Sequence, residues 1–193
     1  MANHNRLKNV IITGRHLKDL EACTGLNLLD IQSMLGLYPA TFANITSAAK
    51  IDEPIDRLYA ASVRFLTKNY PRYYNNISVP DQFRLRGLPE LTRAIKKQPL
   101  TVYGISLIPD KVPHLGIILM RKQGAARKFL LGADAKGCAL TLPLQKWINL
   151  VVGCLDRNCP ELIEAVIVEE ISAHYENPKD TFTEMLKKAW LPD

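Results

Sequence analysis

A run of donors in the second half of the chain is suited to reading or gripping nucleic acid. Arg121, Lys122, Gln123, Arg127 and Lys128 lie within MRKQGAARK. Arg and Lys match guanine edges and phosphates, and Gln matches adenine. In the first half the corresponding candidates are uncharged. Tyr38, Thr41 and Asn44 are short-range hydrogen-bonding groups within YPATFANI, and Lys50 and Arg57 follow as the nearest cations for phosphate contact. Both groups are expected on the second helix of a helix–break–helix segment.

Catalytic chemistry finds little support. MRKQGAARK has one glycine and lacks a Ser or Thr at the spacing a phosphate loop needs. EEISAH, Glu169 to His174, lacks the first histidine of a zinc-protease helix. Cys23, Cys138, Cys154 and Cys159 form no CxxC pair, and His4, His16, His114 and His174 form no HxxxH pair. No metal, cofactor or catalytic residue is therefore expected.

The charge distribution points to the same region. Over all 193 residues the net charge is +6. Residues 81–160 hold 13 Lys and Arg against 5 Asp and Glu, whereas residues 161–193 hold 3 against 8. The middle of the chain is thus the electrostatic footprint for a polyanion, and the tail is acidic. No apolar run approaches the roughly 20 residues that span a bilayer. The first residues, MANHNRLKNV, have no signal-peptide core, so a cytoplasmic protein is expected.

The sequence pattern that must position these groups recurs. PIDRLYAASVRFL, from Pro54, pairs with PLQKWINLVVGCL, from Pro143. Pro54 matches Pro143, Arg57 matches Lys146, Leu58 matches Trp147 and Val63 matches Val152. Upstream of each lies a helix–break–helix pattern, from Asp30 to Ile45 and from His114 to Phe129. The expectation is an all-α protein of tandem helix-turn-helix units, each followed by a long helix. The first unit is placed at residues 1–72, a polar linker at 73–86, the second unit at 87–158 and an acidic helical tail at 159–193.

Local signals set the helix boundaries. One helix is expected over Thr13–Cys23, stopped by Gly25. Asn27 is the expected cap of a helix over Leu28–Leu35, which Gly36 ends in a turn favouring positive φ. Pro39 opens a third helix to about Ser47. Pro54 opens the long helix to Asn69. In the second half, helices are expected over Pro89–Lys97, Asp110–Leu119, Gln123–Leu131 and Pro143–Leu155. A loop is placed at 132–137, and Thr101–Ile108 is locally strand-like. In the tail, Pro160–His174 and Asp180–Trp190 complete the set. Val166, Ile167 and Ile171 share a stripe on the first tail helix. That stripe must be buried, either on the chain's own second unit or, as the sharper expectation, as an interface for a second copy or a protein partner.

Residues Leu28 to Ile45, LLDIQSMLGLYPATFANI, resemble the helix-turn-helix of the Cro/CI-like DNA-binding regulators of phages and mobile elements. Gly36 matches the turn glycine, Leu37 the apolar residue after it, and Phe42 and Ile45 the inward face. Gln32 stands where the family usually has Ala. In the second half Met120 occupies the place of the turn glycine. The resemblance implies a sequence-specific double-stranded DNA-binding protein, acting as a transcriptional regulator. The alternatives are a protein-interaction or structural component, and an accessory factor in plasmid DNA transfer or replication.

Overall fold

The computed structural model describes residues 9–75, 77–131 and 140–191, and within them the chain is all-α. The loop expected over 132–137 lies outside the described residues, as do Cys138 and His4. The expected first helix is broken in two, α1 (Gly14–Lys18) and α2 (Leu20–Thr24). Asp19 stands between them with helical dihedrals, so the break is a slight one. Gly25, at φ 72°, ends α2.

The next elements follow from their caps. Asn27 accepts a hydrogen bond from the Asp30 amide, 2.9 Å, and opens α3 (Leu28–Leu35). Gly36 closes it at φ 68°. Pro39 sits in the first turn of α4 (Pro39–Ile45), where its missing N–H is not needed.

The long helix α5 (Arg57–Asn69) starts later than Pro54. Asp56 is its true cap and accepts from the Leu58 amide at 2.9 Å. Pro54 instead lies in an extended stretch bridged to Thr13. Pro143, by contrast, lies inside the first turn of its helix. The proline match between the two halves therefore does not mark equivalent positions.

The polar stretch 73–86 is more than a linker. It contains α6 (Val79–Phe83), and Tyr74 and Ile77 are buried in the core. α7 (Leu88–Lys97) follows. The strand-like segment forms a minimal hairpin, β1 (Thr101–Val102) and β2 (Ile105–Ser106). Its turn residues Tyr103 and Gly104 both have positive φ, as a two-residue hairpin requires. The remaining helices are α8 (Val112–Ile118), α9 (Gln123–Leu130), α10 (Leu142–Asp156), α11 (Glu161–His174) and α12 (Pro178–Lys188).

A single hydrophobic cluster runs through both halves. At its centre α5 packs against α2, α10 and α11, while α10 also packs against α3 and α7. The segment 73–86 is strapped over α10. Asn149 donates to the Asp81 carbonyl at 3.0 Å, and Lys146 donates to that of Phe83. The boundaries expected at 72, 86 and 158 all fall within this one cluster.

The tail completes the core. Val166, Ile167 and Ile171 are between 0% and 1% exposed, covered within the chain. The expected partner interface on this stripe is therefore corrected: α5, α10 and α12 occupy its surroundings. A fully buried ion pair, Arg64 Nε to Glu170 Oε2 at 2.8 Å, ties α5 to α11. Arg64 also donates to the Val10 carbonyl. Burial alone would raise the Glu170 carboxyl, but hydrogen bonds and charge from His174 and Arg64 outweigh it and hold it below its ordinary value. No helix among the described residues is long and apolar enough to cross a membrane.

Candidate nucleic-acid interface

The second helix–break–helix segment is built on α8. Lys111, not Asp110, is its N-cap, and Pro113 sits in its first turn. His114 is buried there, and its Nδ1 accepts from the Ile108 amide at 3.1 Å. Burial and the neighbouring Lys111 charge lower its affinity for a proton, which suits the accepting nitrogen.

The C-terminal carbonyls of α8 are satisfied from elsewhere in the fold. Trp147 donates its indole N–H to Ile118 at 2.8 Å, and Trp190 donates to Gly116 at 3.1 Å. These groups belong to the last turn, whose carbonyls lack partners within the helix, and that of Gly116 accepts from Trp190 as well as from the Arg121 amide. Both tryptophans therefore clamp α8 as well as filling the core.

Met120 then reverses the chain at φ 54°. Its amide returns to the Ile117 carbonyl at 3.2 Å, and the Arg121 amide returns to that of Gly116 at 2.8 Å. The first segment makes the same pair of bonds. There the Gly36 amide reaches Ser33 at 3.4 Å, and the Leu37 amide reaches Gln32 at 2.8 Å. This is the bonding of a Schellman turn in each case.

The small residue that a bracing helix needs is Gly116. A Cβ there would collide with the Ala189 Cβ at 2.6 Å and the Arg121 carbonyl oxygen at 2.8 Å, while the Ala126 Cβ on α9 would stand at an ordinary contact distance of 3.5 Å. Ala126 is fully buried against α8, and the two helices pack closely. The position equivalent to Gly116 in the first segment is Gln32. Sequence reasoning sought the small residue only there and missed it here. The signal was available, since GIILM and QSMLG align once the two turns are superposed.

With Ala126 turned inward, α9 shows Gln123, Arg127 and Lys128 to solvent, preceded by the exposed Lys122. None of the three cations takes part in an ion pair among the described residues. Arg121 departs from this group. Its Nη1 binds both carboxylate oxygens of Asp56, at 2.8 and 2.7 Å, and its side chain is only 26% exposed.

The first segment is arranged differently. Tyr38 and Asn44 are exposed, Thr41 is half-buried, and Lys50 is exposed beyond the helix. Phe42 and Ile45 pack inward. However, α4 packs only weakly on α3. Its C-terminus rests instead on α1, where a Cβ on Gly14 would collide with the Ile45 carbonyl. The turn at Gly36 is occupied by α10: a Cβ there would meet the Leu142 carbonyl carbon at 2.8 Å. Arg57 is turned into the fold, with its guanidinium 4.7 Å from the Trp190 ring centre and donating to the Tyr175 hydroxyl at 3.4 Å. It is therefore placed for packing rather than for the phosphate contact expected of it.

Among the described residues, no cluster of three or more His, Cys, Asp or Glu could hold a metal ion. Comparison with protein-family models, curated proteins and solved structures finds no match to this chain.

Proposed function

We propose that this chain is a sequence-specific double-stranded DNA-binding protein that works without catalysis, as a transcriptional regulator. The observation that carries the reading is the exposed face of α9. It presents Gln123, Arg127 and Lys128 on a helix packed against α8 through the buried Ala126. A short helix held in this way offers its outer face to a major groove while its brace lies across the backbone. The charge of the surrounding segment favours a polyanion.

The two segments hold different shares of the work in this reading. α9 supplies charge and the Gln123 amide. α4 supplies uncharged readers, Tyr38, Thr41 and Asn44, with Lys50 nearby. In this reading α4 and α9 engage two adjacent stretches of one site, although α4 is held differently, and no second copy is required.

The experiment is selection from a random duplex library with the full chain, followed by affinity measurement on the enriched sequence. The expected result is a recurring motif bound at least ~1,000-fold more tightly than random duplex. Failure to bind any duplex at low salt would overturn the proposal.

A further inference from the structure

A cleft of about 570 Å³ lies at the root of α9, between the turn that leads into it and the N-terminal end of α5. This volume is within the usual range of small-molecule sites. Ile11, Pro54, Ile55 and Ala125 contribute the accessible apolar walls, over a base where Met120 and Trp190 are almost wholly buried. Arg57, Arg121 and Lys122 bring three cations to the same space, against one carboxylate, Asp56. Both bonds from Arg121 to Asp56 come from Nη1, so its Nε and Nη2 make no hydrogen bond among the described residues. Lys122 is exposed at the rim. An apolar floor under a cationic edge is complementary to one kind of occupant, a flat apolar body bearing an anionic group.

We infer that this cleft is a binding site for a small amphipathic organic anion, an aromatic or aliphatic carboxylate or sulfonate. The apolar body would lie against Ile11 and Ile55. Its anionic group would meet Lys122 and the remaining donors of Arg121. This site shares Lys122 with the candidate nucleic-acid interface but lies apart from Arg127 and Lys128 on the outer face of α9.

The probes are 8-anilinonaphthalene-1-sulfonate and its uncharged relative N-phenyl-1-naphthylamine, each titrated into the full chain without DNA. Fluorescence gives affinity and stoichiometry. The sulfonate should bind at one site with a Kd on the order of tens of micromolar. The neutral probe should bind at least ~5-fold more weakly. Ala125→Trp, which fills the cleft from its α9 wall, should weaken the sulfonate at least ~10-fold. Lys122→Glu should weaken it at least ~5-fold, and this exposed position decides the matter if the larger substitution fails to fold. Unsaturable or multiple-site binding in a cooperatively melting chain would overturn the inference. So would equal affinity for the two probes, or unchanged affinity in a folded variant. Because no DNA is present, such a failure leaves the proposed DNA interface untouched.

Discussion

Met120 turns the chain as Gly36 does: φ is 54° at one and 68° at the other, and each turn is closed by the same two backbone bonds. The surroundings of the two turns differ. Met120 is buried in the core, whereas Gly36 lies against the backbone at the start of α10. Gly36→Ala therefore meets two obstacles, a left-handed dihedral and a collision at 2.8 Å. Gly25→Ala meets only the first, since nothing lies within 4 Å of its Cβ position. Urea unfolding should show a loss of about 1–2 kcal/mol for Gly25→Ala and at least ~1 kcal/mol more for Gly36→Ala. Equal losses would remove the packing role assigned to Gly36.

The buried pair between Arg64 and Glu170 makes stability depend on acid. Glu170→Gln should cost about 3–5 kcal/mol, because it leaves the Arg64 charge buried without its carboxylate. The folded carboxyl of Glu170 lies below its ordinary value. Its contribution is thus complete above the unfolded value near ~4.3 and is lost as pH falls through the folded value. Comparing unfolding of wild type and Glu170→Gln from neutral pH into acid should show the gap narrowing. A constant gap would mean that the carboxylate is not what Glu170 contributes.

Ile167 tests the placement of the tail. It is fully buried between α11 and its neighbours. Ile167→Ala should lower stability by about 2–5 kcal/mol without changing the mass in solution. A smaller assembly with unchanged stability would return the stripe to the role of an interface between chains.

Asn44 is exposed on a helix without charge, so its proposed part is base readout. On the selected site Asn44→Ala should cost about 1–3 kcal/mol, with little change on random duplex. Equal loss on both would assign Asn44 to the sugar-phosphate backbone.

Much of the fold was legible because it depends on local punctuation. Gly25, Asn27, Gly36 and Pro39 act within a turn of themselves, and each marks the boundary read from it. What escaped depends on distant partners. Arg64 and Glu170 look like surface charges until α5 and α11 meet. Arg57 and Arg121 look like phosphate ligands until Trp190 and Asp56 take them. Tyr74 and Ile77 read as linker residues because an irregular strap carries no hydrophobic period, although it covers the core. The stripe through Val166 was read correctly as a face needing cover, but the covering helices lie far away in sequence. Within the candidate site, Lys122, Gln123, Arg127 and Lys128, expected as outward-facing donors, are exposed.

The most direct measurement is the salt dependence of duplex affinity for wild type and for the Arg127→Ala, Lys128→Ala double variant. If the face of α9 lies on DNA, the variant binds more weakly at every salt concentration. Its log–log slope falls by about 0.9 for each phosphate contact removed, and so by up to ~1.8. A folded variant with the affinity and slope of the wild type would contradict the account, leaving α9 a solvated helix with no part in binding.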